Sequence, residues 1–525
     1  MARSSVLLLV LILLISSCLF LPLSVKAYSK TIVVPDEYST IQAAINAAAQ
    51  GDTIFVKKGT YEEKTLIITK PLSLIGEGAD FTQINLDPPR YTSPPDYFNR
   101  THSWFGPSIT VESNDFKLSG LIITTTVPSN KTGGTISITG NRTQIINNNM
   151  ETGLTVNGSY CNITRNTFMM GVGLYGSYGN VSLNKIIGSG GIYVFGVYNS
   201  VFSNNIAGED NEGIHVEGAS CIIYGNNVVE NSGIGGIYVS SNETIVAKNF
   251  VDHSSIGIKV GGSDNIICAN KVTNNGVGLV ADTRIYNYYW KAEATDSEGN
   301  NNFYANYVAN NDVGIDIDQC PDNNVTSVFY YNNFVDNTFQ VETDDWDDVY
   351  GNDSFDNGVE GNYWSDYNGA DADGDGIGDT PYVIDANRQD RFPLITPFDI
   401  DSLKLDLSDC MFPPLIQLIS PINATYLPTD LILEFTVNKQ TSRLSYSLDG
   451  EANTTITGNV TLPRPSYGSH QIQVYATDLV GHKSTSETIY FSVTEPFPTT
   501  LVIASVITVT VVGIGLLVYF KKRKH

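Results

Sequence analysis

The sequence predicts an all-β chain: a right-handed parallel β-helix of about 10–13 coils, then an Ig-like β-sandwich, then a single C-terminal transmembrane helix. Three observations carry this. A Gly-aliphatic-x pattern recurs as Gly153-Leu154-Thr155-Val156, Gly173-Leu174-Tyr175, Gly191-Ile192-Tyr193-Val194, Gly213-Ile214-His215-Val216, Gly236-Ile237-Tyr238-Val239, Gly257-Ile258-Lys259-Val260, Gly278-Leu279-Val280 and Gly314-Ile315-Asp316-Ile317. The glycine intervals are 20, 18, 22, 23, 21, 21 and 36 residues, and the last is one repeat plus an insertion. Between them a second strand ends in Asn-x-aliphatic, at Asn148, Asn166, Asn184, Asn204, Asn226, Asn270, Asn306 and Asn332, with Lys248 in the ninth place beside Asn249. Finally, the 525 residues include 46 Gly and 29 Tyr with only 16% charged, a composition of tight turns and short strands.

Each repeat of about 21 residues holds strands too short to close a sheet alone, which suits one coil of a stacked solenoid. Coils stack at the strand spacing of about 4.8 Å. The Ile-x-Val alternation sends aliphatics into a bore and the intervening residues outward. Asn at one turn position is expected to form a ladder of side-chain amides.

The chain reads from its N-terminus as follows. Residues 1–27 have the form of an export signal, with Arg3 before an apolar run and Val25-Lys26-Ala27 as a cleavage site. Residues 36–50 predict a helical cap: Ile41, Ala44, Ile45 and Ala48 share one face, with Ser39 or Thr40 as N-cap. The β-helix is assigned to 28–400, ending in the acidic segment 341–387, which has 14 Asp+Glu and no Lys or Arg. Alternating strands within 413–494 predict the sandwich, a spacer between helix and membrane. Thr499–Phe520 is 22 apolar or neutral residues, about 33 Å as a helix and long enough for a bilayer core. The basic tail 521–525 is expected to stay cytoplasmic.

Two motifs resemble a known family. IQAAINAAAQGDTIFVKKGTYEE with ITKPLSLIGEGADFTQI, and later GNYWSDYNGADADGDGIGDTPYVID at 361–385, are similar to the opening and closing segments of pectin-lyase-like β-helices, most of all the NosD-type repeats of archaeal and bacterial surface proteins. The resemblance covers roughly residues 31–398. It implies the architecture and not a single activity, because one fold hosts many chemistries. The NosD association implies copper-centre maturation as one function. The superfamily implies polysaccharide lyase or glycoside hydrolase chemistry as another, with paired acids or calcium plus a basic residue.

The net charge of −25 excludes a broad phosphate-contacting nucleic-acid surface. Without Arg3, Lys26 and the four tail cations the exposed part carries 24 Lys+Arg against 55 acids, a net −31 that attracts cations. Asp371, Asp373, Asp375 and Asp379, with Gly376 at the bend, have the alternating oxygen ligands of a calcium loop. Tyr382 stands where an EF-hand places Glu, so a further ligand is expected from Asp366 or Asp385. Five Cys after the signal, without CxxC, read as small buried residues rather than a disulfide framework. Twelve Asn-x-Ser/Thr sequons make the exposed part a candidate glycoprotein.

The outward column is expected to read Thr155, Tyr175, Tyr193, His215, Tyr238, Lys259, Val280, Asp316, and its neighbour Asn157, Ser177, Phe195, Glu217, Ser240, Gly261, Asp282, Asp318. Rings at coil spacing edged by polar groups suit a sugar chain lying along the axis. Tyr175, Tyr193, His215, Glu217, Tyr238 and Lys259 are therefore the candidate ligand-binding residues, with the aromatic inserts 86–108 and 281–301 as walls. A tyrosine column also serves as a plain sheet ladder. Asp282, Asp316 and Asp318 as acids and Lys259 or Arg284 as base are the candidate catalytic residues. The reading is a membrane-anchored surface β-helix binding carbohydrate or another extended extracellular ligand, with a lyase or hydrolase as the alternative.

Overall fold

The computed structural model describes residues 29–92, 103–127, 135–208, 213–231, 235–282, 300–318, 327–343, 353–428, 430–479, 481–495 and 499–523. The signal at 1–27, Arg284, and residues 93–102 and 283–299 of the inserts 86–108 and 281–301 lie outside them.

Short strands repeat because each coil turns three times, and each coil adds one rung to each face. One face is a sheet of 13 parallel strands from Thr31–Val34 to Ser327–Tyr330. The other two faces join into one sheet of 23 strands, since in two coils the strand runs on around the corner, as Thr167–Leu174 and Lys185–Val194. This is a parallel β-helix. Inward residues fall in register: Ile192, Ile214, Ile237 and Ile258 pair rung to rung and are fully buried. They belong to one apolar cluster that runs from Ile32 to Trp364.

Backbone pairing satisfies the strands but leaves corner amides to be paired otherwise, and the Asn ladder does this. The Asn166 N–H donates to Asn184 Oδ1 at 2.9 Å. Its Nδ2 donates to that same oxygen at 3.0 Å and to the Ile145 carbonyl at 2.8 Å. Its own Oδ1 accepts the backbone N–H and the Nδ2–H of Asn148, both at 3.0 Å. The chain of bonds runs through Asn148, Asn166, Asn184, Asn204, Asn226, Asn249, Asn270, Asn306, Asn332 and Asn362. Asn249, not Lys248, holds the place between Asn226 and Asn270. Lys248 fills the left-handed position just before it, at φ +54°, as Arg165 and Leu183 do in their coils. Two shorter ladders that the repeat pattern does not display stand at other corners: Asn275, Asn311 and Asn337, and Thr244, Asn265 and Asn301.

Both ends of the bore are closed. The helix Ile41–Ala47 buries Ile41, Ala44 and Ile45, and Thr40 Oγ1 caps it by accepting from the Ala43 N–H at 3.2 Å. At the other end the long ladder stops on an acid. Asp390 Oδ2 accepts from the Asn362 N–H at 2.7 Å and from Trp364 Nε1 at 2.9 Å. Trp364 is stacked between Phe334 and Tyr382, at 4.5 and 4.4 Å. Burial lifts the Asp390 carboxyl to about 6, against the opposing pull of these hydrogen bonds.

After the helix the chain returns along its flank. Phe398 stacks on Tyr331 at 4.4 Å and exchanges two hydrogen bonds with the Asn333 side chain. Leu403, Leu405 and Cys410 pack on Ile245, Cys268 and Tyr304. Two antiparallel sheets follow: Ile416–Ser420, Leu431–Val437 and Val460–Leu462 form one, and Thr441–Leu448, Gly468–Asp478 and Ile489–Val493 lead the other. Leu433, Ile472, Val474 and Phe491 fill the space between them. The sandwich touches the helix through the Tyr304 hydroxyl, which donates to the Leu479 carbonyl. A helix of 24 residues, Thr499–Lys522, ends the chain. Its side chains are described only from Ile507 on, and over the described residues no helix is long and apolar enough to cross a membrane.

Two outcomes follow for stability. Asn226→Ala removes the acceptor of the buried Asn204 N–H and leaves it unpaired, while Asn204 Nδ2 keeps the Val181 and Phe202 carbonyls. Denaturant unfolding is expected to show a loss of about 2–3 kcal/mol, while Asn227→Ala, on the outer side of the same corner, costs far less. A carboxyl whose folded pKa lies above its unfolded value of 3.8 holds its proton longer when folded. Its contribution is complete below about pH 4 and is lost as pH rises through about 6. Unfolding free energies of wild type and Asp390→Asn, measured from pH 4 to 7, should therefore differ by an amount that shifts against the wild type as pH rises. Half-buried Asp353, also lifted to about 6 by burial, keeps a residual slope in both.

Candidate functional site

The face that carries the sequence candidates begins at Leu66–Ile68 and continues rung by rung to Phe339–Thr343. Because its inward residues are pinned in register, the outward ones between them form columns at coil spacing. The observed column is Thr155, Gly173, Tyr193, His215, Tyr238, Lys259, Val280, Asp316, Glu342.

Tyr175 does not belong to it. The repeat there reads Gly171-Val172-Gly173-Leu174, and Val172, not Leu174, aligns with Leu154 and Ile192. Gly171 therefore plays the part first given to Gly173, and Tyr175 moves two residues along into the neighbouring column in place of Ser177. There it stacks on Phe195 with centroids 4.5 Å apart. Gly171 has a physical reason to be glycine: an added Cβ would sit 3.1 Å from the Gly191 carbonyl oxygen.

Tyr193, His215, Tyr238 and Lys259 do stand on consecutive rungs. The Tyr193 and His215 rings are 6.3 Å apart, His215 and Tyr238 4.7 Å, and Lys259 Nζ lies 5.9 Å from the Tyr238 centroid. Glu217, two residues beyond His215, brings its Oε1 to 3.5 Å from His215 Nε2. The column is not uniformly open. His215 and Tyr238 are buried, at 6% and 5% exposed, although they point away from the bore. Tyr193, Glu217, Lys259 and Asp316 are half-buried, and Tyr175 is exposed. The open aromatic platform is thus Tyr175, Phe195 and Tyr193, and it leads into an enclosed polar group of His215, Glu217, Tyr238 and Lys259. Of the catalytic candidates, Asp316 shares the column of Lys259, two rungs on. Asp282 and Asp318 pair through their backbones in the neighbouring column.

The acidic loop lies apart from this face. Asp371, Asp373 and Asp375 bring one oxygen each within 4.8 Å of the others. The turn is shaped by Gly374 and Gly376 at φ +77° and +89° and by loop amides: Asp371 accepts from the Gly374 N–H at 2.7 Å and from the Gly376 N–H at 3.1 Å. Asp379 is not in that group. Its Oδ2 accepts from the Ala372 N–H at 2.9 Å and closes the loop. Asp385 is engaged by Arg388 at 2.7 Å, and Asp366 accepts from the Tyr382 hydroxyl at 3.2 Å. Two acids of the segment are paired from just outside it, Asp385 by Arg388 and Asp356 by Arg391 at 2.5 Å.

Sequence reasoning missed a second aromatic column. Tyr160, Tyr178 and Tyr198 stack at a corner of the helix, with centroids 5.0 and 5.1 Å apart and planes within 12°. The signal was present as Gly158-Ser159-Tyr160, Gly176-Ser177-Tyr178 and Gly196-Val197-Tyr198.

No family model matches the sequence, and no curated protein matches it. Solved structures do resemble the fold. The A-module of an Azotobacter vinelandii mannuronan C-5 epimerase is 14% identical at a TM-score of 0.48, over 60% of this chain and 94% of its own. An alginate lyase of family PL6 is 16% identical at 0.42, over 76% and 61%. The tailspike of Escherichia coli bacteriophage HK620, in complex with a pentasaccharide, is 15% identical at 0.35, over 62% and 61%. Likeness this distant carries no functional argument, and the function must be read from this chain's own side chains.

Proposed function

We propose that this chain is a surface-displayed β-helix that binds an extended carbohydrate along the face of Tyr175, Phe195 and Tyr193. The observation that supports it most is the registered aromatic platform: rings fixed at rung spacing by the bore, one of them exposed, running into a polar group of His215, Glu217 and Lys259. Flat apolar rings take the C–H faces of sugars, while the polar end takes hydroxyls. The buried His215 and Tyr238 act here as the wall that ends the platform, not as its floor.

The ends of the chain complete the reading. The 1–27 segment exports the chain, the sandwich spaces the helix from the bilayer, and the apolar segment 499–520 anchors it, with the basic tail 521–525 inside. The sandwich spacer is Ig-like, two packed sheets around one apolar core.

A second reading has one observation in its favour. The 3.5 Å pair of His215 and Glu217 lies beside Tyr238 on a face that also carries Lys259 and Asp316, the kinds of group that polysaccharide cleavage uses for proton transfer. Copper maturation finds little support. The gathered ligand set among the described residues is three carboxylates, hard donors that suit calcium, not copper. Calcium held by Asp371, Asp373 and Asp375 would pin the closing segment of the helix, with Asp379 shaping the loop.

An array of extracellular oligosaccharides probed with the full chain, with product release assayed on every hit, tests the binding reading. Tyr175→Ala and Tyr193→Ala are expected to weaken binding by about 1–2 kcal/mol each and to leave the fold intact, since Val172 and Ile192 are untouched. Unchanged binding in both would make the platform a structural ladder. New reducing ends or unsaturated products would favour the second reading. For the cation, the melting temperature is expected to rise with millimolar calcium and fall with chelator by mass action. Asp373→Ala with Asp375→Ala should remove that response.

A further inference from the structure

The corner that carries Tyr160, Tyr178 and Tyr198 is one column along the helix: Asp115, Arg142, Tyr160, Tyr178, Tyr198, Ser220, Glu243, Asp264. Every member has a left-handed backbone, with φ between +56° and +59°. Short polar residues tolerate that conformation, whereas bulky ones adopt it at a cost. Three consecutive tyrosines nevertheless occupy it, and they are 60%, 50% and 52% exposed, so burial does not explain them. The stack also stops abruptly. The rung after Tyr198 is Ser220, so the ring face turned away from Tyr178 meets a small side chain.

A cavity of about 850 Å³ opens at that point. Its floor is the rest of the column, Tyr198, Ser220, Glu243 and Asp264, and its roof includes His482 and Lys483 of the sandwich. The roof is held in place. Lys439 Nζ donates to the Asp409 and Phe412 carbonyls of the linker, at 2.8 and 2.5 Å, and to Asp478 of the sandwich at 3.0 Å. Asp478 in turn accepts from the His482 N–H at 2.8 Å. The volume falls in the range of sites that enclose a small ligand.

We propose that this cavity is a second carbohydrate cleft, apart from the outward face, which takes a neutral, hydroxyl-rich oligosaccharide. Tyr198 supplies the stacking face. Glu243 and Asp264 accept hydroxyls, and Lys483 donates from the opposite wall. The two carboxylates on the floor outnumber the Lys483 ammonium on the roof, so the cleft favours an uncharged chain over an anionic one. The net −31 of the exposed part adds repulsion against polyanions. The proposal rests on reading the chain as a carbohydrate binder but puts a ligand where that reading does not.

Calorimetric titration of the full chain with cellohexaose, chitohexaose and hexagalacturonate, followed by hydrogen exchange with each, tests it. At least one of the two neutral hexasaccharides is expected to bind and to protect backbone amides near Tyr198 and in the 481–485 segment. Tyr198→Ala should weaken that binding at least tenfold. Tyr160→Ala, which removes an equally exposed phenol outside the cavity, should change it less than twofold. Tyr193→Ala, which alters the outward face, should leave the protection near Tyr198 and in the 481–485 segment in place. The proposal is overturned if neither neutral sugar binds, if Tyr198→Ala binds as wild type does, or if hexagalacturonate protects the same segments. Protection confined to residues 192–195 and 214–217, lost in Tyr193→Ala, would overturn the cleft while supporting the outward face. Protection near Tyr198 and in 481–485 that is lost in Tyr198→Ala and kept in Tyr193→Ala would support the cleft, with the outward face judged by its own variants.

Discussion

The outward faces from residue 148 on depend on one repeated hydrogen-bonded unit, the asparagine at one corner of each coil from Asn148 to Asn362. A parallel coil must turn without leaving its corner amide unpaired in an interior that admits no water. The asparagine side chain solves this because it carries an acceptor and two donors on one planar group. Its oxygen takes the amide and side chain of the coil before, and its nitrogen reaches the coil after and a strand carbonyl. No other side chain of that length does both. Aspartate lacks the donors, and it stands only where the ladder ends, at Asp390.

The ladder fixes register, and register fixes function. A slip of one residue along any strand would turn every inward aliphatic outward. With Ile192, Ile214, Ile237 and Ile258 locked in one line, Tyr193, His215, Tyr238 and Lys259 have no freedom to leave theirs. The aromatic stacks at the corner and on the face are thus set by the bore beneath, and a binding surface on such a scaffold needs little ordering when a ligand arrives.

Much of this was legible in the sequence. The repeat interval, the interior ladder and the N-terminal helical lid all follow from spacing and polarity. The errors have local physical causes. Two glycines two residues apart, Gly171 and Gly173, fit the same pattern, and only pairing with neighbouring coils shows which one lies against a backbone. Lys248 and Asn249 were confused because the left-handed residue before the ladder asparagine differs from coil to coil, as Arg165, Leu183, Ser203 and Lys248 show. Burial of His215 and Tyr238 was not legible, since alternation gives the direction of a side chain and not what covers it. The return of 398–412 along the flank, and with it the cavity roofed by the sandwich, depends on contacts between residues 65 to 181 positions apart, such as Asn333 with Phe398 and Tyr224 with Leu405. No periodicity encodes those.

Residue-resolved hydrogen exchange at the corner amides tests the central claim most directly. If the asparagine ladder holds the coils in register, the backbone amides of Asn166, Asn184, Asn204, Asn226, Asn249 and Asn270 exchange as slowly as those of the interior strands, through global unfolding only. Fast exchange at these amides, with the strands still protected, would show that the strands alone set the register and that the ladder is incidental to it.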